Sequence, residues 1–95
     1  MSNSSPTIEL LEKTHAFPCV YLFKVIGKAD QGFPARVVAA VRNVLAIDAD
    51  PPFRVREAVG GRHVSVSLEP IVQSAHQVLA IYDRLGTLDG VVMLF

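Results

Sequence analysis

A short loop contains the residues best suited to bind a small molecule. Gly27, Asp30 and Gly32 lie close together in the sequence, just before a helix predicted from the residues that follow. Glycines let a ligand approach the backbone, and the free N–H groups of a helix start can hold a carboxylate. Asp30 would then bind an amino group. The pattern predicts a site for an amino acid or similar zwitterion, and a plain turn with a helix cap is the alternative interpretation.

Metal binding and nucleophilic catalysis lack the residues they require. Cys19 is the only cysteine, and His15, His63 and His76 show no i, i+4 spacing. A soft metal needs paired cysteines, and a lone cysteine is more often a half-buried apolar side chain than a nucleophile. No phosphate loop, nucleotide fingerprint or Ser-His-Asp arrangement is found. We therefore expect no enzyme, no metal site and no cofactor.

Length, composition and charge further restrict the class of protein. The chain has 95 residues, of which 51% are hydrophobic, and its nine Lys and Arg balance nine Asp and Glu. This size suits one domain, and zero net charge argues against general nucleic-acid binding. A single cysteine is typical of a reducing cytosol. Without an apolar run of roughly 20 residues or a signal peptide, the sequence predicts a cytoplasmic protein with no membrane segment.

The first half of the chain predicts a tail, a strand and a helix. Residues 1–15 are expected to form a loose tail with a short helix at 7–13, in which Ile8, Leu10 and Leu11 pack on the domain formed by residues 16–95. Alternation over 20–27 predicts the first strand, with Lys24 on its solvent side. Residues 32–46 carry an apolar stripe at helical spacing, with Pro34 near the helix start.

The second half predicts a hairpin, a helix and a strand. Residues 53–58 and 62–69 alternate as strands around the Gly60-Gly61 turn. Pro70 is predicted to open a second helix that Gly86 caps, and residues 91–95 form a last strand. The order β-α-β-β-α-β folds most simply as the ferredoxin-like plait, an α+β fold with a four-stranded antiparallel sheet and two helices on one face.

The other face of this sheet is predicted to be open to solvent or to a partner. By alternation it presents Leu22, Lys24, Arg54, Arg56, His63, Ser65 and Ser67. RNA recognition by this fold needs exposed aromatic side chains on the first and third strands, and those of the first strand are predicted to point inward. The cations alone favour nucleic acid, whereas charges that solvate an exposed sheet are the simpler interpretation.

Three segments together resemble a known family. They are residues 17–27, FPCVYLFKVIG, residues 63–68, HVSVSL, and residues 85–93, LGTLDGVVM. The chain resembles the YbeD family of small bacterial proteins of unknown function, from about Ile8 to Phe95. The resemblance implies a plait similar to ACT regulatory domains and a regulatory role. ACT domains carry an Asp-x-x-Gly-like loop at this place. Residues Asp30 to Pro34 of this chain contain the same residue types in a different order.

These observations favour a non-enzymatic regulatory or protein-interaction module. An open sheet face and an apolar last strand at a sheet edge are expected to be covered by another protein surface. This predicts a homo-oligomer such as a dimer, or a protein partner. Pairing through residues 91–95 or stacking of sheets would supply that cover. The alternative is an ACT-like sensor of an amino acid or similar metabolite at Gly27, Asp30 and Gly32. RNA binding through Lys24, Arg54 and Arg56 is the least favoured hypothesis.

Overall fold

A computed structural model describes residues 5–30, 32–58 and 60–95. The predicted tail lies partly outside this range, since residues 1–4 are not described. The helices are α1 (Ile8–Thr14), α2 (Phe33–Leu45) and α3 (Ala75–Gly86). The strands are β1 (Cys19–Val20), β2 (Phe23–Lys28), β3 (Phe53–Glu57), β4 (His63–Leu68), β5 (Ile71–Val72) and β6 (Val91–Leu94).

The main sheet has the order β3-β4-β2-β6, and every neighbouring pair is antiparallel. β2 and β4 are the central strands, and β3 and β6 form the two edges. Crossovers through α2 and α3 complete the β-α-β-β-α-β order. The predicted ferredoxin-like plait is therefore confirmed. A small second sheet, β1 paired with β5, was not predicted.

Alternation on the central strands places the core between the sheet and the helices. Phe23 and Val25 are fully buried while Lys24 is exposed, as its charge predicts. On β4, Val64, Val66 and Leu68 face the same side and are also buried. α2 and α3 contribute the facing residues Phe33, Val37, Val38, Ala40, Val41, Ala75, Val78, Ile81 and Leu85.

The N-terminal helix α1 packs on this core. Thr7 caps α1, because its hydroxyl accepts a hydrogen bond from the N–H of Leu10 at 3.1 Å. Leu11 is buried and Ile8 packs against the core, but Leu10 lies on the exposed side of the helix. The predicted packing of Leu10 is therefore wrong, since only one stripe of this short helix can face the domain.

Two predicted boundaries are also wrong. The first strand is interrupted after Val20, because Cys19 and Val20 pair with β5 instead of continuing into β2. Pro70 does not open a helix, since the residues after it form β5. α3 begins at Ala75, where the Ser74 hydroxyl accepts from the N–H of Gln77 at 3.2 Å. The spacing of Ser74 and Gln77 matches a capping box and was the signal for this start.

The end of α3 also differs from the prediction that Gly86 caps this helix. Gly86 is the last residue of the helix, and Thr87 takes the cap position with its N–H directed to the carbonyls of Arg84 and Leu85. Thr87 has right-handed helical backbone angles, so no glycine is needed there. The backbone angles that favour glycine occur instead at Gly90, with φ of 89°, in the turn into β6.

The contact between Gly27 and Phe33 joins the sheet to the start of α2. Phe33 is fully buried, and its ring lies over Gly27 so closely that a Cβ at this position would come within 2.6 Å of both Cε atoms. Gly27 therefore provides space for the first residue of α2 on the inner side of β2. Its role in the structure is packing, on the side of the strand that faces the helix.

We expect Gly27→Ala to lower the free energy of unfolding by about 1–3 kcal/mol, because the added methyl group overpacks the fully buried Phe33 ring. Gly86→Ala is the matched control. It meets no atom within 4 Å and removes a glycine from a helix, so it should raise stability by up to about 1 kcal/mol. Urea unfolding measures both, and equal effects of the two substitutions would contradict the packing role.

Candidate functional site: the open face and two edges of the sheet

Strand register brings the predicted basic residues together on the open face. Ser67 of β4 lies opposite Lys24 of β2 on one side and Arg54 of β3 on the other. In the next row Ser65 lies between Ile26 and Arg56. Small hydroxyl side chains on the central strand thus leave a depression of about 370 Å³ with cations on both sides.

Within the described part of the chain, no Asp or Glu side chain forms an ion pair with the cations on this face. The ion pairs found among the described residues join Arg36 to Asp30 at 3.4 Å and Arg42 to Asp50 at 3.3 Å. Neither pair involves the open face, and the one acidic residue of the main-sheet strands, Glu57, shares the helix side with Val64. A neutral chain therefore presents a locally positive surface, which attracts acidic groups.

The rest of the predicted open face is only partly polar. His63 lies opposite Lys28 at the end of β4 and is half-buried, and Leu22 is exposed just before β2. The register adds Met93 opposite Ile26, and Phe95 bonds to Lys24 through the backbone. The β6 half of this face is thus apolar. Sequence reasoning missed this half, although the alternation of β6 contains the signal.

A second surface lies on the helix side of the edge strand β3. Phe53 and Val55 are 42% and 45% exposed, although they face the same side as the buried residues of β4. Phe53 contributes to a depression of about 460 Å³ between β3 and α2. Its other lining residues are Pro34, Ala35, Val38, Ala39, Arg42 and Asp50. No local sequence pattern indicates this groove, because its existence depends on which strand lies at the edge.

Two of the three residues of the predicted zwitterion loop lie in direct contact. Asp30 and Gly32 are in contact, since Asp30 Oδ1 accepts the Gly32 N–H at 2.8 Å and Oδ2 lies 3.4 Å from Nη2 of Arg36. Gly27 instead contacts the ring of Phe33. The N–H of Gly32 and the guanidinium of Arg36 hold the pKa of the Asp30 carboxyl below its ordinary value.

Aromatic residues of the N-terminal signature form a packing cluster. The rings of Tyr21 and Phe23 lie 4.9 Å apart, and those of Phe23 and Tyr82 lie 5.1 Å apart. The hydroxyl groups of Tyr21 and Tyr82 are 3.4 Å apart. Burial, followed by this hydrogen bond, raises the pKa of Tyr82 above its ordinary value. This cluster connects β2 to α3.

Metal and membrane sites have no support in the described part of the chain. Among residues 5–30, 32–58 and 60–95, no three His, Cys, Asp or Glu side chains group closely enough to hold a metal ion. No described helix has the length and apolar character that a membrane crossing requires.

Comparison with known proteins identifies the family. The model of a family described as "Protein of unknown function (DUF493)" matches residues 12–95. The chain belongs to this family. A UPF0250 protein of Shewanella woodyi is 35% identical over 83 residues, which cover 87% of this chain and 88% of the relative. A UPF0250 protein of Vibrio cholerae is 35% identical over 78 residues, covering 82% and 83%.

UPF0250 is the YbeD family, so the resemblance predicted from the sequence is confirmed. The fold has a solved counterpart in the solution structure of protein HP0495 from H. pylori. That structure matches with a TM-score of 0.67 and 14% identity over 98% of each chain. At this identity the likeness shows the fold alone. The family has no established function, and it assigns no catalytic or ligand residue to the positions described above.

The Asp30 contacts predict a pH-dependent stability. Because the folded pKa of Asp30 is lowered, its contribution is fully present above the unfolded pKa and is lost as the pH falls through the folded pKa. We expect Asp30→Asn to lower the melting temperature slightly at neutral pH, and the difference from the wild type should shrink below about pH 4. Asp83→Asn, an exposed change on α3, is the control. A difference that stays constant down to pH 2 would contradict the assignment.

Proposed function

We propose that this chain is a non-enzymatic interaction module that self-associates through the edge strand β6. The observation that carries the proposal is the composition of this edge. Val92, Met93 and Phe95 are 50%, 50% and 54% exposed, and residues 91–95 include neither a charged side chain nor a proline. Charges and prolines are the usual means of protecting an edge strand from pairing. An edge without them favours a partner that covers it.

The backbone of β6 supports pairing with a second copy. Lys24 and Phe95 exchange two hydrogen bonds, of 3.1 Å and 2.8 Å, so these groups of Phe95 point toward β2. By the alternation of an antiparallel ladder, Leu94 directs its N–H and C=O to the free edge. Two β6 strands related by a twofold axis would satisfy these groups and cover the exposed apolar side chains.

The other edge of the sheet is protected against pairing with an uncharged strand such as β6. β3 carries Arg54, Arg56 and Glu57 along its length. Pairing of β6 with β3 of the next molecule would place uncharged residues against these charges and would extend without closure. The twofold β6 pairing closes after two copies and avoids both consequences.

A regulatory role follows from the resemblance to ACT domains, whose plaits act as control modules of enzymes. In this proposal the dimer is the structural unit, and the chemistry belongs to the proteins that it binds.

The self-association is tested by size-exclusion chromatography with light scattering at tens of micromolar protein. We expect a dimer for the wild type and a monomer for Val92→Lys, because lysine introduces charge at the apolar edge. Val55→Lys is the matched control, since Val55 has nearly the same exposure but lies on β3, and this variant should stay dimeric. A monomeric wild type, or equal loss of the dimer in both variants, would disprove pairing through β6.

A metabolite sensor is a second candidate, favoured by one observation. Asp30 and Glu57 both line a depression of about 310 Å³ beside Val55, where their carboxylates could bind an amino group. Amino acids are the natural probes. A ligand at about 100 times its dissociation constant should add about 2.7 kcal/mol of stability in a thermal-shift assay. If no amino acid raises the midpoint, or if Asp30→Asn leaves a shift unchanged, this candidate is removed.

A further inference from the structure

We propose that β3 is a docking edge for an extended, acidic segment of a partner protein, which adds as an antiparallel strand. The segment would alternate acidic and apolar residues. Its acidic side chains would lie beside Arg54 and Arg56 on the open face, and its apolar side chains would enter the groove between β3 and α2. This site lies on the opposite edge from β6 and does not depend on the dimer.

Hydrogen bonds at both ends of β3 determine which backbone groups are free. The N–H of Ala58 bonds to the carbonyl of His63 at 2.9 Å, and the N–H of Glu69 bonds to the carbonyl of Pro52 at 2.9 Å. Bonded pairs alternate along an antiparallel ladder, so Arg54 and Arg56 direct their N–H and C=O toward β4. The intervening residues, Phe53, Val55 and Glu57, direct theirs to the free edge.

The two sides of β3 offer different chemistry at this edge. Arg54 and Arg56 share the open face with Ser67 and Ser65, where no carboxylate of the described strands lies beside them. An incoming strand would place acidic side chains in the non-hydrogen-bonded positions opposite the arginines, where cross-strand side chains come closest. Guanidinium groups bind carboxylates with good geometry. Charge complementarity therefore selects acidic residues at alternate positions.

The helix side selects apolar residues at the positions between them. A side chain opposite Val55 or Phe53 points toward α2, because directly paired residues share one face of the sheet. There it meets the exposed halves of Phe53 and Val55 and the groove lined by Pro34 and Val38. Burial of the exposed apolar surface in this groove would stabilise the complex.

Together these positions define the sequence of the occupant. Read from its N-terminus, the added strand faces Glu57, Arg56, Val55, Arg54 and then Phe53. The pattern is polar, acidic, apolar, acidic, apolar, which describes strand addition with pockets for alternate side chains. This fixed register distinguishes strand addition from a general attraction of anions to the arginines.

Two other occupants fit less well. The chain's own acidic–apolar stretch, Asp48 to Pro51, is held by Arg42, which bonds to the Asp48 carbonyl at 2.7 Å and to Asp50. A second copy is therefore a poor source of the strand. Single-stranded RNA needs aromatic rings for stacking, and the open-face positions of β3 and β4 carry arginine, serine and histidine instead.

The test uses a labelled peptide, Gly-Thr-Glu-Val-Glu-Val-Thr-Gly, with blocked ends, and fluorescence anisotropy with the full chain. We expect saturable binding, and a peptide with lysine at both glutamate positions should bind at least about tenfold more weakly. The variant Arg54→Glu/Arg56→Glu should lose the acidic peptide and gain the lysine peptide, which also shows that it is folded. Lys24→Glu, on the same face but away from the edge, should change the affinity less than about threefold.

N-methylation of the peptide tests the strand pairing directly. Methylation of the valine opposite Val55 removes a hydrogen bond to β3 and should abolish binding. Methylation of the glutamate opposite Arg54 affects an N–H that points away and should preserve most of the binding. Equal effects of the two methylations, absence of saturable binding, or displacement of the peptide by single-stranded RNA at lower concentration than by unlabelled peptide would overturn the proposal. Repeating the titration with Val92→Lys separates this result from the state of the dimer.

Discussion

Helices α2 and α3 pack on one face of the four-stranded sheet. Because they do not cover its full width, the edge strand β3 stays partly exposed on that face. α2 and α3 cover the central strands, where Val25 of β2 and Val66 of β4 are fully buried. Val55 lies opposite Val66 in the same sheet and faces the same side, yet it is almost half exposed. The same residue type in the same register thus has opposite environments, because the helix layer ends before the edge strand.

The close approach of α2 to the centre of the sheet depends on Gly27. With no side chain on β2 at this point, Phe33 can place its ring against the strand, so the first residue of α2 lies over this central strand. Arg36 then reaches both the Asp30 carboxylate and the Asp89 carbonyl, which ties the helix start to the loop before β6. The groove beside β3 is a consequence of where this contact positions the helix.

Local patterns predicted most of the fold and only part of the candidate site. Lys24 was enough to orient β2, and the cations of the open face followed from alternation alone. Pro70 was misleading because a proline fits a helix start and an extended segment equally well, while Ser74 and Gln77 carried the decisive capping signal. The edge surfaces could not be derived from alternation, since the exposure of Phe53 and Val55 depends on strand order and helix placement, which are long-range properties.

A dimer paired through β6 would place its two free β3 edges at a defined distance. Antiparallel pairing of two β6 strands about a twofold axis normal to the sheet keeps both open faces on one side and gives the order β3-β4-β2-β6-β6-β2-β4-β3. The free β3 edges then lie about 34 Å apart, because neighbouring strands are separated by roughly 4.8 Å. The two bound segments of a partner would each add one strand beyond β3 and would lie about 43 Å apart, nine strand spacings, so the linker between them must span roughly 13 extended residues. Dimerisation would thereby convert a weak strand-addition site into a bivalent one that selects partners by the spacing of their segments.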